Sequence, residues 1–267
     1  MLFRNIFKAA MMSALLLTAC ASMAQGIARD PDALWRVVHN VCVPDQRIFA
    51  YPAPCTEVDL AAGYAIVKDP DPLAPTHFLL VPTARISGIE DPVLLSPDVP
   101  NYWAQAWHAR RYVEQRVGRA LRRDELSLAI NSVYTRTQNQ LHIHIDCIKP
   151  TVKAALRAHA SAIGPNWGRF PVLLAGEPYR ARRIQGASLS GADPFRLLAA
   201  LPEARAGMGE ESLVVTGETG ADGRPGFILL AGRTKPGFSN KWGEELQDHR
   251  CALAQSPERQ VADPATS

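Results

Sequence analysis

Residues 139–150 read NQLHIHIDCIKP, with His142, His144 and Asp146 at every second position and Leu141, Ile143 and Ile145 between them. In a β-strand alternate side chains point to opposite faces. Leu141, Ile143 and Ile145 should therefore enter a core, while Gln140, His142, His144 and Asp146 share the other face. This alternation commits the chain to a sheet with one packed face and one polar face that carries two imidazoles and a carboxylate. Three uses fit such a face. His142, His144 and Asp146 suit a metal such as zinc. One histidine could act as nucleophile or acid/base with its neighbours orienting it. The bland use is a half-exposed polar surface, to which two alternating histidines are an unusual contribution.

The flanking pattern supplies the remaining elements. Residues 30–40 (DPDALWRVVHN) predict a short helix opened by Asp30-Pro31. The runs AGYAIVKD (62–69) and HFLLVPT (77–83), separated by DPDPLAP, predict an antiparallel hairpin. Asn101 is placed to cap a helix reaching Val117, with Trp103, Ala106, Trp107, Arg110 and Val113 at helical spacing and Gly118 at its stop. Trp103 and Trp107 are read as core. Strands are expected at 125–132 and 140–148, and a helix from Pro150 to Ile163. A second set follows: 170–184, a helix near Asp193–Leu201, and a hairpin of 212–219 with 226–232. Without βαβ alternation, the fold class is α+β, an antiparallel sheet with helices on one side.

With 267 residues, the chain can bury a sizeable core in one large domain or two small ones. A net charge of +3, without a Lys/Arg run interleaved with aromatics, argues against a nucleic-acid partner. Arg4 and Lys8 precede an uncharged apolar run from Ala9 to Ala24, the layout of an export signal. The run is short for a membrane span, which needs about 20 residues. Ser22-Met23-Ala24 fits a cleavage site, whereas Leu17-Thr18-Ala19-Cys20 fits a lipoprotein box. Retention as an anchor is the third option, and each places the rest of the chain outside the cytoplasm. The other cysteines, Cys42, Cys55, Cys147 and Cys251, are even in number, as an oxidising compartment favours. Cys42 and Cys55 flank the proline-containing VPDQRIFAYPAP, which suits a local bridge and would leave Cys147 to pair with Cys251. The sequence allows three connectivities.

The stretch APTHFLLVPTARISGIED (74–91), followed by LAINSVYTRTQNQLHIHID (128–146), resembles the histidine-triad superfamily. Asn131 stands eleven residues before His142, which gives His142, His144 and Asp146 the first, middle and third triad positions. A register with Gln140 first and His142 in the middle breaks that spacing. RISGIEDP (85–92), PNYWAQAWHAR (100–110), SLAINS (127–132), RTQNQLHIHI (136–145), YRARRI (179–184) and DHRC (248–251) together resemble the bacterial CDP-diacylglycerol pyrophosphatases, from about Trp35 to Cys251.

The resemblance implies a histidine-triad-like (HIT-like) antiparallel sheet with packed helices, extended by the second C-terminal strand set. It divides the chain into a signal or anchor segment (1–24), one hydrolase domain (30–255) and a polar tail (256–267). It implies hydrolysis of CDP-diacylglycerol to CMP and phosphatidate at the inner membrane's periplasmic face, with no cofactor. His144 would be the nucleophile and His142 its catalytic partner, with the far nitrogen of His144 donating to a backbone carbonyl. Asn131, Gln138, Asn139, His77 and Asp146 would lie against the substrate, with His77 and His142 offering imidazole N–H groups. Asp146, where a full triad has a histidine, would be protonated or would orient an imidazole. Arg182 and Arg183 suit either phosphate or a charged surface strand. His39, His108, His159 and His249 are read as structural. The rivals are a HIT-like hydrolase of soluble nucleotides and a periplasmic metal- or lipid-binding protein using the His-x-His-x-Asp strand.

Overall fold

The structure, a computed structural model, describes residues 30–234 and 243–255. The expected signal or anchor with Cys20 and the polar tail lie outside the described residues. The ten strands are β1 Glu57–Asp59, β2 Tyr64–Lys68, β3 Phe78–Pro82, β4 Leu126–Ile130, β5 Ile143–Ile148, β6 Gly168–Arg169, β7 Arg180–Gln185, β8 Glu211–Thr219, β9 Pro225–Arg233 and β10 Gln247–Asp248. They form one sheet in the order β1-β2-β3-β5-β4-β8-β9-β7-β6. Every pairing is antiparallel. The architecture is α+β, with both expected hairpins present and the second strand set joined to the first through β4 and β8. β10 pairs with the end of β5, Gln247 opposite Ile148 and Asp248 opposite Cys147.

Register assigns the faces. Ile143, Ile145 and Cys147 join Leu126, Leu128, Leu213, Val215 and Leu229 in the largest core, covered by Trp103, Ala106, Trp107 and Val113. A fully buried side chain of this size contributes about 1.5–3 kcal/mol. His144 stands opposite Leu79 and Ala129, so it lies on the reverse face. Helices cover that face too, which corrects the one-sided expectation. Leu34, Val38, Cys42 and Val43 pack on Ala65 and Val81. Val152 and Leu156 pack on Ala129, Ile148 and Val214. The histidines are thus flanked by two smaller cores on one sheet face.

Several boundaries moved for physical reasons. The first helix continues through a π-helical turn (Val38–Cys42) into Val43–Phe49, where a proline-containing loop is expected. The Val43 N–H reaches the Val38 carbonyl across the wide turn, so Pro44, which has no N–H, enters without breaking a regular ladder. The 101–117 helix is two, Tyr102–Ala109 and Arg111–Val117; the Asn101 side chain accepts from the Ala104 N–H, and Gly118 ends it at φ 75°. The run from 170 forms strand only at Arg180–Gln185. A bridge between Leu174 and Glu177 encloses Ala175 and Gly176, both at positive φ, and this tight turn interrupts the run. Disulfides join Cys42 to Cys55 and Cys147 to Cys251. The second fastens the C-terminal segment to β5.

Candidate active site

β5 begins only at Ile143, because Gln140 is drawn into the preceding loop. Its buried amide donates to the Pro82 and Ala84 carbonyls at 3.1 and 2.8 Å. Gln138 serves the N-terminal helix, accepting from the Leu34 N–H at 2.9 Å and donating to the Asp30 carbonyl at 3.1 Å. Asn139 is exposed, and its N–H bonds the Pro31 carbonyl at 2.6 Å. These three residues shape the loop entering β5, and the contacts of Gln138 are made within the protein.

At the centre of the polar face is His144. Its Nδ1 lies 2.9 Å from His77 Nε2 and 2.9 Å from Glu244 Oε2. The Nδ1 of His77 lies 2.7 Å from Asp69 Oδ2. Burial is the main cause that holds the His77 pKa below the ordinary histidine value, so the ring is neutral at pH 7. A neutral His77 that donates from Nδ1 to Asp69 keeps a lone pair on Nε2. The proton between the two imidazoles is then on His144 Nδ1, shared with Glu244. The expected backbone carbonyl is replaced by a carboxylate and an imidazole. This leaves the lone pair of His144 on Nε2, with the Asn131 Nδ2 donor 3.4 Å away. The Asn131 Oδ1 accepts from the Glu244 N–H at 3.4 Å, so one amide touches both the nitrogen and the segment behind it.

The short 3₁₀ turn Gly243–Leu246 brings Glu244 in. A Cβ on Gly243 would lie 2.6 Å from the Ile130 carbonyl oxygen, so only glycine lets this segment lie against the end of β4. Burial alone would raise the Glu244 pKa, but attraction to the His144 ring whenever that ring is protonated, and the hydrogen bond from it, hold it far below the ordinary carboxylate range. His142 has its Nδ1 2.7 Å from the Gln140 carbonyl, to which it must donate. Burial and the nearby His144 lower its pKa to about 4. It is therefore neutral, and its Nε2 offers a lone pair where an N–H is expected.

Asp146 is fully buried. Its Oδ1 accepts from Thr76 Oγ1 at 2.7 Å and from the Cys147 N–H at 2.8 Å. Its Oδ2 lies 2.8 Å from His249 Nδ1, so Asp146 orients an imidazole from the far end of the chain. His249, read from sequence as structural, stacks on His77 at 4.4 Å between ring centres. Glu244, His249, Thr76 and Asp69 were missed as site residues. His249 in DHRC and Thr76 in APTHFLLVPT lie inside motifs that carry the resemblance, but neither shows a role there, because single residues in loops carry no periodicity. Arg183 pairs with Glu218 and bonds the Ile163 carbonyl, which makes it a brace between β7 and β8.

His142, His144 and Asp146 do not form a metal set, since the Asp146 oxygens are already engaged. Among the described residues, His77, His144 and Glu244 bring ligand atoms within 4.8 Å of one another. Their 2.9 Å separations are hydrogen-bond distances. Tetrahedral zinc with bonds of about 2.0–2.1 Å would spread its ligands to about 3.4 Å. Beside the site is a cavity of about 450 Å³ lined by Leu73, Lys149, Glu244, Glu245, Gln247, Asp248, His249 and Arg250.

The chain is similar to known proteins over most of its length. The family model described as CDP-diacylglycerol pyrophosphatase matches residues 29–255. A protein from Yersinia pestis named CDP-diacylglycerol pyrophosphatase is 43% identical over 224 residues, covering 83% of this chain and 84% of that one. All of the histidines, carboxylates and amides described above fall inside the matched span, and the chain belongs to the CDP-diacylglycerol pyrophosphatase family.

Proposed function

We propose that the chain hydrolyses CDP-diacylglycerol to CMP and phosphatidate through a nucleotidyl-histidine formed on His144. The reading is carried by the direction of the hydrogen-bond chain Asp69–His77–His144, which leaves Nε2 of His144 as its unprotonated nitrogen. That lone pair attacks the phosphorus bearing cytidine. The P–N bond forms, the P–O bond of the diphosphate breaks, and phosphatidate leaves with the electron pair. The imidazole becomes cationic when it is nucleotidylated. Glu244 and the His77–Asp69 pair then stabilise a charge that is absent in the ground state, the kind of interaction that accelerates a reaction. Water attacks the same phosphorus in the second half, the P–N electrons return to His144, and CMP is released. His142 supplies the neutral acceptor that takes the water's proton. Asn131 holds Nε2 in line.

The test is a rapid quench of the full chain with CDP-diacylglycerol, followed by peptide mass spectrometry under alkaline conditions that preserve phosphoramidates. A cytidylyl adduct on His144 is expected. CMP release with no adduct at any time, together with turnover by His144→Ala, would remove the nucleophile assignment. Stoichiometric metal in the purified protein with no CMP would favour the binding-protein reading.

The enzyme works, in this proposal, at the periplasmic face of the inner membrane, held by residues 1–24 as an anchor or through a lipidated Cys20. Among the described residues no helix is long and apolar enough to cross a membrane. Leu73, exposed at the cavity mouth, and the exposed Ile48, Phe49 and Tyr51 supply apolar surface for a substrate that carries acyl chains. Alkaline carbonate extraction tests it: the full chain should stay in the membrane pellet, and wholly soluble protein would exclude the tether.

A further inference from the structure

We propose that His249 is a positioning residue: its ring, paired with Asp146 and stacked on His77, keeps His77 neutral and so keeps the proton between His77 and His144 on His144 Nδ1. The inference rests on the reading of His144 Nε2 as the attacking atom and deepens it. His249 acts through His77, at the Nδ1 edge of His144, and its role needs no contact with substrate.

The place of that proton decides whether Nε2 can attack. Glu244 Oε2 lies 2.9 Å from His144 Nδ1, and a carboxylate at that distance requires an N–H there. His77 Nε2, also 2.9 Å from His144 Nδ1, is then the acceptor, and His77 Nδ1 donates to Asp69 at 2.7 Å. A proton added to His77 would sit on Nε2 and point at the N–H of His144. The contact survives only if His144 releases its Nδ1 proton and takes one on Nε2, where the lone pair is needed. One proton on the wrong ring thus blocks the nucleophile from its far edge.

Three carboxylates favour that outcome. Asp69 from the loop after β2, Asp146 on β5 and Glu244 from the 3₁₀ turn surround the two rings and attract a proton to them. Lys68 on β2 offers little relief, because its ammonium donates to the Asp69 and Ala74 carbonyls. His249 is the cation set against them. Its Nδ1 lies 2.8 Å from Asp146 Oδ2, while Thr76 and the Cys147 N–H hold Oδ1. Its ring stacks on His77 at 4.4 Å between centres. On its other side is the cavity, where Lys149 pairs with Glu245, Asp248 accepts from the Arg250 and Ala252 N–H groups, and Arg250 completes the wall.

Two imidazoles in contact repel each other when both are protonated, so a proton on one keeps the second off the other. Exposure and charge agree on which ring holds it. His249 is 33% exposed and His77 only 4%. Burial works against the His249 cation, but the hydrogen bond and charge of Asp146, with Glu244 and Asp69, outweigh it and raise its pKa above the ordinary histidine value. Burial is also the main influence on His77, and repulsion from His144 and His249 adds to it, so its pKa falls despite Asp69. The outer ring carries the charge and the inner ring stays an acceptor.

The test is the pH dependence of kcat/KM for CMP release from CDP-diacylglycerol by the full chain in detergent. His249→Asn keeps a side-chain N–H for Asp146 and removes the charge. The ratio of wild-type to variant kcat/KM is expected to grow about tenfold between about pH 9 and about pH 6, as the variant's acid limb moves to higher pH. A ring that served only for packing would give a ratio independent of pH, and that result would overturn the proposal. Thermal unfolding at each pH reports the fold. Nitrogen NMR of histidine-labelled wild-type enzyme at neutral pH supplies a reading that needs no variant. An imidazolium at His249 beside a neutral His77 protonated on Nδ1 is expected, and the reverse assignment would overturn the proposal. His144→Ala separates the two readings. CMP release by that variant would remove the nucleophile assignment, whereas an inactive His144→Ala with a pH-independent ratio for His249→Asn would remove only the role of His249.

Discussion

The Glu244 carboxylate lies 2.9 Å from His144 Nδ1, on the side of the ring away from the nitrogen that faces Asn131. An anion there does little for a neutral imidazole and much for the cation that the proposed mechanism forms when Nε2 bonds phosphorus. Glu244→Gln removes the charge while keeping an acceptor. The expected result is a fall in kcat of about 10²–10³, the range for one transition-state electrostatic partner, with a smaller change in KM. Steady-state kinetics with CDP-diacylglycerol checks it, and an unchanged kcat would show that His77 alone fixes the ring.

The two strand histidines should separate in the same assay. His144→Ala removes the proposed covalent nucleophile and should drop turnover by about 10⁴ or more. His142→Ala loses a neutral acceptor and should keep measurable activity. Gln140 spends its amide on Pro82 and Ala84, so a register with His142 in the middle has no free side chain before it. Retention of a tenth of the activity by His144→Ala with none in His142→Ala would reverse the roles.

The alternation from Leu141 to Cys147 made one face of β5 legible as core, because a period of two has a single reading when one face is buried. The polar face was legible as a set of residues and not as a set of partners. Asp146 could be recognised as an orienting carboxylate, yet the imidazole that it orients comes from His249, beyond β9, and tertiary pairing at that range leaves no local pattern. The same holds for Glu244, whose approach depends on Gly243 lying against Ile130. Gln138 and Asn139 look polar and loop-borne, as phosphate contacts do. That Gln138 would cap the N-terminal helix required knowing where the helix packs.

Gly243→Ala tests that approach directly. The added Cβ would lie 2.6 Å from the Ile130 oxygen, which is backbone and cannot swing aside. The segment must retreat, carrying Glu244 away from His144. A stability loss of about 1–3 kcal/mol is expected, as for other overpacking changes. Activity should fall with it by tenfold or more while circular dichroism stays native. Full activity would mean that Glu244 reaches His144 from a different backbone position.

His142 gives stability a pH dependence whose sign is fixed. Its pKa is about 4 in the folded protein and about 6.5 unfolded. Between these values the unfolded chain binds the extra proton, so stability from this residue is full above about pH 6.5 and is lost as pH falls toward about 4. The slope is at most about 1.4 kcal/mol per pH unit. His142→Asn keeps a donor for the Gln140 carbonyl and cannot titrate, so its urea midpoint should fall less steeply between pH 6.5 and 4. Parallel curves for both proteins would show that His142 is not the group responsible.

The two disulfides should differ in what they protect. Cys42–Cys55 closes 13 residues beside the N-terminal helix, and Cys147–Cys251 closes 104. Loop-closure entropy assigns about 3 kcal/mol to a loop near the first size and about 4.7 kcal/mol to one near the second. The chemistry separates them further. Cys147 follows Asp146, and Cys251 comes two residues after His249, so the second bridge clamps the pair that holds the imidazole. β10 adds only two residues of pairing to that clamp. The double variant Cys42→Ser/Cys55→Ser should therefore lower the melting temperature and leave kcat near the wild-type value at temperatures where it is folded. Cys147→Ser/Cys251→Ser should lower both, with the loss in kcat present well below its melting temperature. Calorimetry paired with CMP-release assays on both variants measures each quantity. If the second variant unfolds earlier yet turns over normally when folded, β10 and the Asp146 hydrogen bond suffice to seat His249 without the bridge.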